Sequence, residues 1–144
     1  MRKNKKGFTL AELLIVVAII AVLVAIAVPI FSNQLESARE GTDAANVRSE
    51  YAMFMTDVLM SNTQSFSTPG AVSLKQLTSG WQNADIKTGL EALSKNDAAD
   101  GETNVSIVDI ESVTKGGTVS FKYSPATKDD VAFVTITFAG PAAA

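Results

Sequence analysis

The sequence contains no cysteine and no histidine. The absence of cysteine excludes disulfides, thiol nucleophiles and thiolate metal ligands, so a small domain must be stabilised by its core, a bound ion or neighbouring subunits. The absence of histidine removes the commonest general base and the commonest transition-metal ligand. Both absences argue against catalysis, and we predict that the protein is not an enzyme.

Basic side chains are scarce beyond the first seven residues. Residues 1–7 hold four of the 12 lysines and arginines and no acid, whereas residues 8–144 hold eight basic and 15 acidic side chains, a net charge of −7. No basic patch remains in the body of the chain to meet phosphates, which argues against nucleic-acid binding.

One uncharged apolar segment dominates the N-terminal part of the chain. From Leu13 to Phe31, 19 consecutive residues carry no charge. As a helix this segment would be about 28 Å long, close to the hydrocarbon thickness of a bilayer. The basic residues before it predict that the N-terminus stays in the cytoplasm and that the rest of the chain is translocated. We therefore expect a single membrane-spanning helix.

Two ordinary explanations of this segment leave one residue unexplained. A secretory signal peptide could be cleaved after Ala25-Ile26-Ala27, which would make Val28 the new N-terminus. An uncleaved signal anchor would keep Met1. Neither accounts for Glu12, because a carboxylate in an apolar helix is costly and requires a partner.

The stretch "KKGFTLAELLIVVAIIAVLVAIAVP" combines several features in a fixed order. A short basic leader ends in Gly7, Phe8 follows, Glu12 lies five residues beyond the glycine, and Pro29 lies near the end of a long apolar helix. In these features residues 2–35 resemble the N-terminus of type IV prepilins and of the related pseudopilins. The resemblance is specific because charge, spacing and length must all coincide.

This resemblance implies a processing step and an assembly contact. A prepilin peptidase on the cytoplasmic face would cut between Gly7 and Phe8, and the new amine of Phe8 would be methylated. The carboxylate of Glu12 would then meet the N-terminal amine of a neighbouring subunit in the core of a filament. An ammonium partner offsets the cost of burying a lone carboxylate, and a subunit out of register would leave that charge unpaired.

Pro29 also matches the family pattern, in which the helix often unwinds just before this proline. A proline inside a helix removes one backbone hydrogen bond and clashes with the preceding turn, so we expect a kink between Ala25 and Pro29. The glycine often found in the middle of the family's apolar run is Ala21 here. Since alanine is the best helix former, the resemblance does not fix how far the helix unwinds.

The expected fold class is α+β, with three parts along the chain. Residues 1–7 form a cytoplasmic leader, residues 8–31 a transmembrane or filament-core helix, and residues 32–144 a globular head that includes the amphipathic half of the helix. A continuous helix over residues 9–61 would be about 80 Å long. A bend or a break is expected near Ser32-Asn33 or Gly41.

The second half of this helix carries an apolar stripe. Apolar residues recur with i, i+3, i+4, i+7 spacing, which predicts that one face packs on a core. The stripe consists of Ala44, Val47, Tyr51, Phe54, Met55 and Val58.

The C-terminal part of the chain contains three predicted strands, over residues 105–110, 116–124 and 131–138. Gly116-Gly117 suits a hairpin turn. The simplest arrangement is a small antiparallel meander of three strands laid across the second half of the helix.

A polar connector, residues 62–104, joins the helix to these strands. Pro69-Gly70 predicts a turn within it, and a short helix is expected over residues 85–95.

The same connector contains a candidate metal site. Asp97, Asp100 and Glu102 place oxygen ligands close together, as calcium prefers, and major pseudopilins carry a calcium site in the C-terminal region. The spacing does not match an EF-hand loop, and a solvated acidic loop is the favoured interpretation. No cofactor is expected, with calcium as the alternative.

These observations favour a structural subunit, in particular the major subunit of a type IV pilus. The expected partners are further copies of the chain in a helical filament, the prepilin peptidase and methyltransferase, and an assembly platform in the membrane. The precursor would be a single-pass protein of the cytoplasmic membrane, and the assembled subunit would be extracellular. The alternatives are a major pseudopilin of a type II secretion system, a DNA-uptake pilin (the one case with a nucleic-acid partner), or a membrane-anchored binding module.

Overall fold

The computed structural model of the chain describes residues 7–61, 65–94, 103–127 and 131–141. The chain divides into two compact units, residues 1–35 and residues 36–144. Along the chain, a long helix is followed by a strand, a short helix and three further strands, with one 3-10 helical turn at Ile110–Ser112.

The long helix, α1, spans Leu10–Ser61 and confirms the helix predicted over residues 9–61. It is helical through Ser32-Asn33 and Gly41, so no break occurs at either place, and a bend there stays a prediction. The hydroxyl of Ser32 donates to the carbonyl oxygen of Val28 at 3.0 Å. Since this side chain bonds within its own helix, it does not cap a new one at this point.

In the unit of residues 36–144, the apolar stripe of α1 packs on a β-sheet. The rings of Phe54 on α1 and Phe121 on the sheet lie 5.5 Å apart between centroids, a tilted aromatic pair. The buried members of the stripe are Ala44, Val47, Phe54 and Val58, whereas Tyr51 and Met55 are half-buried. The predicted role of this stripe as core is therefore confirmed.

The sheet has four strands: β1 (Phe66–Ser73), β2 (Asn104–Val108), β3 (Thr118–Ser124) and β4 (Phe133–Ala139). Their order in the sheet is β1-β3-β4-β2. β3 is antiparallel to both β1 and β4, whereas β2 runs parallel to β4. The α+β class is confirmed, but the meander of three antiparallel strands is wrong in strand number and in the direction of β2.

β1 escaped the sequence analysis because it contains Pro69-Gly70, which predicted a turn. A proline lacks a backbone N–H and is tolerated on an edge strand, where one side of the strand is unpaired. β1 is such an edge, and its pairing with β3 is irregular between Thr68 and Val72, on either side of that dipeptide.

The hairpin predicted at Gly116-Gly117 is also wrong, because β2 and β3 do not pair with each other. These glycines instead form a turn that packs against the end of β4. Gly116 has a φ of +75°, and a Cβ on Gly117 would lie 2.6 Å from the carbonyl oxygen of Ala139. Only glycine allows both the left-handed conformation and that close approach at low cost.

The short helix α2 spans Ala84–Glu91, so the predicted helix over residues 85–95 exists but ends earlier. Asn83 is its N-cap, with a side-chain oxygen that accepts from the backbone N–H groups of Asp85 and Ile86. Leu90 on its inner face is fully buried.

Candidate functional site

The surface of residues 7–35 is largely apolar and is exposed throughout. In this unit every residue described is exposed, and one 18-residue window has a mean hydropathy of 3.4. By length and composition alone, the helix can cross a membrane. Such a surface cannot face water at low cost, because each buried Å² of apolar area is worth about 25 cal/mol. The unit therefore needs lipid or other apolar helices around it.

Glu12 lies in the first turn of α1 and forms a reciprocal capping arrangement with Thr9. Its Oε2 accepts from the backbone N–H of Thr9 at 2.8 Å and from the hydroxyl of Thr9 at 2.7 Å. The Thr9 Oγ1 accepts from the backbone N–H of Glu12 at 3.2 Å. This is the capping box, in which residues three apart satisfy each other's unpaired N–H groups at a helix start.

Thr9 is the residue at this end that the sequence analysis missed. The signal was present, because the pattern Thr-x-x-Glu immediately before an apolar helix is the capping-box signature. The structure thus gives Glu12 a role within its own chain, in addition to the predicted contact with a neighbouring subunit.

Gly7 and Phe8 precede α1 and belong to neither helix nor strand. Phe8 is 89% exposed, and no atom lies within 4 Å of a Cβ built on Gly7. The peptide bond between them is therefore accessible within this unit, next to the Thr9–Glu12 cap. The predicted cleavage and methylation stay predictions.

Pro29 lies inside α1, which is helical on both sides of it. Because proline has no N–H, the carbonyl of Ala25 lacks its intrahelical partner. The kink expected between Ala25 and Pro29 stays a prediction.

A second group of acidic residues lies in the unit of residues 36–144. Glu36, Glu40 and Asp43 occupy positions i, i+4 and i+7 of α1, and they are only 6%, 0% and 0% exposed. They continue the buried face that contains Val47 and Phe54. The sequence analysis did not identify these residues, because acidic side chains on an amphipathic helix are usually exposed to solvent.

Each of these three carboxylates accepts two hydrogen bonds from backbone N–H groups of the loop between β1 and α2. Asp43 Oδ2 accepts from residues 75 and 76 at 2.7 and 2.9 Å. Glu36 Oε1 accepts from residues 77 and 78 at 2.5 and 2.7 Å. Glu40 accepts from residues 82 and 83 at 2.6 and 2.9 Å. We call Glu36, Glu40 and Asp43 the latch, and residues 75–83 the strap.

The candidate calcium ligands Asp97, Asp100 and Glu102 lie outside the described residues. Within the described ranges, no group of three or more His, Cys, Asp or Glu side chains is arranged to hold a metal ion. Calcium binding at the acidic loop stays a prediction from the sequence.

The comparisons with known proteins agree with the features of the N-terminal end. Residues 2–28 match the family described as "Prokaryotic N-terminal methylation motif". Over 100 residues the chain is 40% identical to the type IV narrow pilus major component PilA5 of Thermus thermophilus, an alignment that covers 66% of this chain and 82% of that protein. No solved structure matches the fold. On the strength of the shared motif and of this extended identity, the chain belongs to the type IV pilin family.

Proposed function

We propose that this chain is the major subunit of a type IV pilus. Its precursor is anchored in the cytoplasmic membrane by residues 8–31, cleaved after Gly7, methylated on the amine of Phe8 and then polymerised into a helical filament. The match of residues 2–28 to the methylation motif supports the processing, and the 40% identity to a major pilus component supports the role of the subunit.

The observation that carries the proposal is the exposed apolar surface of residues 7–35 with Glu12 at its start. Lipid and a bundle of identical helices are equally apolar surroundings for this surface. The hydrophobic effect therefore does not by itself favour the filament, and close packing together with specific polar contacts must do so. Glu12 is the acidic residue of α1 before Glu36 and the natural source of such a contact.

The capping box suits Glu12 to this contact. Both hydrogen bonds that it accepts from Thr9 end on Oε2, which leaves Oε1 able to accept from the ammonium group of Phe8 in a neighbouring subunit. Cleavage between Gly7 and Phe8 leaves the Phe8–Thr9 peptide bond intact. The backbone N–H of Thr9 therefore still donates to the Glu12 carboxylate after processing, and the capping box is already formed before assembly.

The exposed face of α1 in the unit of residues 36–144 offers further packing surface. Its residues alternate in steps of three and four, all are exposed, and none carries a charge: Ala38, Thr42, Ala45, Ser49, Ala52, Thr56 and Leu59. Apart from Leu59 these side chains are small, and small uncharged side chains with this spacing allow helices to approach closely along a seam. This face is suited to contact other copies of the chain in the filament.

The test is to shear surface fibres from cells and to determine the N-terminal residue of their subunit by mass spectrometry. A mature chain that begins at methylated Phe8 is the expected result. A chain that begins at Val28 would identify a secreted domain, and one that retains Met1 would identify an uncleaved membrane anchor; either result overturns the proposal. The absence of this chain from purified fibres, with a chain processed at Phe8 in the membrane, would indicate a pseudopilin instead.

A further inference from the structure

The strap is held to α1 chiefly through the latch. Of the nine backbone N–H groups in residues 75–83, six donate to Glu36, Glu40 and Asp43. The residues joined in this way are 32 to 43 positions apart in sequence. In a chain without disulfides, these carboxylates take the place of a covalent link between α1 and the segment that leads into α2.

The ionised form of the latch strengthens each of these bonds, because a hydrogen bond to a charged group is about twice as strong as a neutral one. An ionised carboxylate accepts hydrogen bonds at both oxygens, whereas a protonated one keeps one acceptor oxygen and turns the other into an O–H donor. Protonation therefore weakens the bonds to the strap, and at Glu40, where both oxygens accept, it also places an O–H against an N–H donor.

Few charged groups surround the latch to oppose or support this change. On α1, Arg39 pairs with Glu36 at 3.0 Å. Arg48, further along α1, lies against α2 at Gly89, where a Cβ would come within 2.5 Å of its Nη2. The strap contributes the exposed Lys75, whose backbone N–H donates to Asp43.

On α2, Asp85 is exposed in the first turn, and Lys87 pairs with Glu91 and Glu111. Among the described residues, Arg39 is thus the single cation in ion-pair contact with the latch. Three acids with i, i+4, i+7 spacing therefore share one cation in a buried site.

The balance at Glu36 sets the direction of the pH dependence. Burial is the largest influence and raises its pKa, but the hydrogen bonds from Thr78, Leu77 and Arg39 together outweigh it and hold the pKa of Glu36 below its usual value of 4.5. A carboxylate with a lowered folded-state pKa contributes stability that is fully present above its ordinary pKa. That stability is lost as the pH falls through the lowered value.

We propose that the latch is an acid-operated switch that releases the strap from α1 while the sheet stays folded. The contact of Phe54 on α1 with Phe121 on the sheet involves no titratable group and no residue of the strap. At neutral pH the six N–H groups are held and the strap is closed. In acid the latch loses its hold on these N–H groups, the strap opens, and the buried side of α1 around Glu40 becomes accessible.

Hydrogen exchange of the full-length protein in detergent micelles tests this proposal directly. The strap peptide and the β3–β4 peptides are followed by mass spectrometry from neutral to acidic pH, with rates corrected for intrinsic exchange. We expect protection of the strap to fall by about tenfold or more before that of the sheet changes. A common loss of protection in strap and sheet would indicate ordinary acid unfolding, and an unchanged strap would show that the latch does not open; both results overturn the proposal.

Trp81 provides a second measurement, because it is the single tryptophan of the chain and lies in the strap. Its indole N–H donates to the carbonyl of Ile110 at 2.9 Å, and its ring packs edge-on against Phe138. We expect acid to shift its emission to longer wavelength while far-UV circular dichroism is retained.

Substitution of a latch carboxylate by an uncharged amide distinguishes release of the strap from general unfolding in acid. Glu40→Gln is expected to abolish protection at residues 82 and 83 at neutral pH, and the same N–H groups should then show no further acid transition. Glu50→Gln, on the same helix but outside the latch, is the matched control and should behave like the wild type. An acid transition of residues 82 and 83 that is unchanged in Glu40→Gln would refute the role of the latch.

Discussion

Residues 7–35 present one carboxylate, Glu12, on a helix surface that is otherwise apolar and exposed, whereas in residues 36–144 three carboxylates are buried beneath a loop. In both units the carboxylates accept hydrogen bonds from backbone N–H groups. Glu12 bonds to a residue three positions away, but the latch bonds to residues 32 to 43 positions away. The same chemical group thus serves local capping in one unit and tertiary structure in the other.

This difference shows where the carboxylates of each unit find their hydrogen-bond and ion-pair partners. The unit of residues 36–144 has its own core and its own N–H donors, so each carboxylate of the latch accepts hydrogen bonds from within the chain. The unit of residues 7–35 buries none of its described residues and supplies Glu12 only with Thr9. In a membrane or a filament core such a carboxylate requires a cation from outside its own helix.

The largest expected effect comes from a substitution that removes the predicted contact of Glu12 with a neighbouring subunit but keeps its hydrogen bonding with Thr9. Glu12→Gln retains an oxygen that can accept from Thr9, because glutamine also completes a capping box, but it removes the negative charge. We expect a correctly cut subunit at normal level in the membrane and a fibre yield below about a tenth of wild type. The measurement is immunoblotting of sheared fibres and of membranes.

The companion variant Glu12→Ala removes both contacts and should assemble no better than Glu12→Gln. Normal fibre yield from Glu12→Gln would show that capping, and not charge pairing, is the function of this residue.

The second prediction compares the same substitution in the two units. Ile136 is 1% exposed in the sheet, whereas Ile20 is 52% exposed on α1. Ile136→Ala should lower the free energy of unfolding of the 36–144 unit by about 2–5 kcal/mol, since it removes buried contacts and leaves a cavity. Ile20→Ala should change it by less than about 0.5 kcal/mol.

Both variants are measured by denaturant unfolding of the full-length protein in micelles, followed by the fluorescence of Trp81. Equal destabilisation by the two substitutions would contradict the division of the chain into an exposed helix and a self-sufficient domain.

The third prediction concerns the pH dependence of one latch residue. Glu36→Gln should destabilise the 36–144 unit by about 1–3 kcal/mol at neutral pH, because it removes the charge that strengthens the hydrogen bonds from residues 77 and 78. The lowered pKa of Glu36 means that the wild type holds this advantage above pH 4.5, the usual value, and loses it as the pH falls further. Thermal unfolding of both proteins across this range provides the measurement, and a constant difference in acid would contradict the role of the ionised carboxylate.

The smallest expected effect is at the helix start. Thr9→Ala removes one capping hydroxyl, at a cost of about 1 kcal/mol to the first turn of α1. Thr9→Ser keeps the hydroxyl and is the matched control. We expect faster amide exchange at residues 11–13 in Thr9→Ala only, and fibre yield reduced far less than in Glu12→Gln; a loss as severe as that of Glu12→Gln would mean that Thr9 itself contacts the neighbouring subunit.

Much of this architecture could be predicted from local sequence patterns. The continuous helix, the buried stripe that includes Phe54, and the positions of β3 and β4 follow from residue periodicity, which reports local structure directly. β1 could not be predicted because Pro69-Gly70 is read locally as a turn, and an edge strand tolerates it only in the context of the finished sheet. The parallel pairing of β2 with β4 also has no local signal, since strand neighbours are chosen by long-range contacts.

The sequence by itself determined the N-terminal half of α1, its capacity to span a membrane, and the position of Glu12 five residues after Gly7, because these depend on composition and spacing along one helix. Only the tertiary structure decided that Glu36, Glu40 and Asp43 are buried and bound to the strap, because their N-H donors come from 32 to 43 residues away. An acidic side chain on a helix is exposed to water unless the fold places a hydrogen-bond donor next to it. The sequence of the helix itself contains no information about a donor from a distant segment.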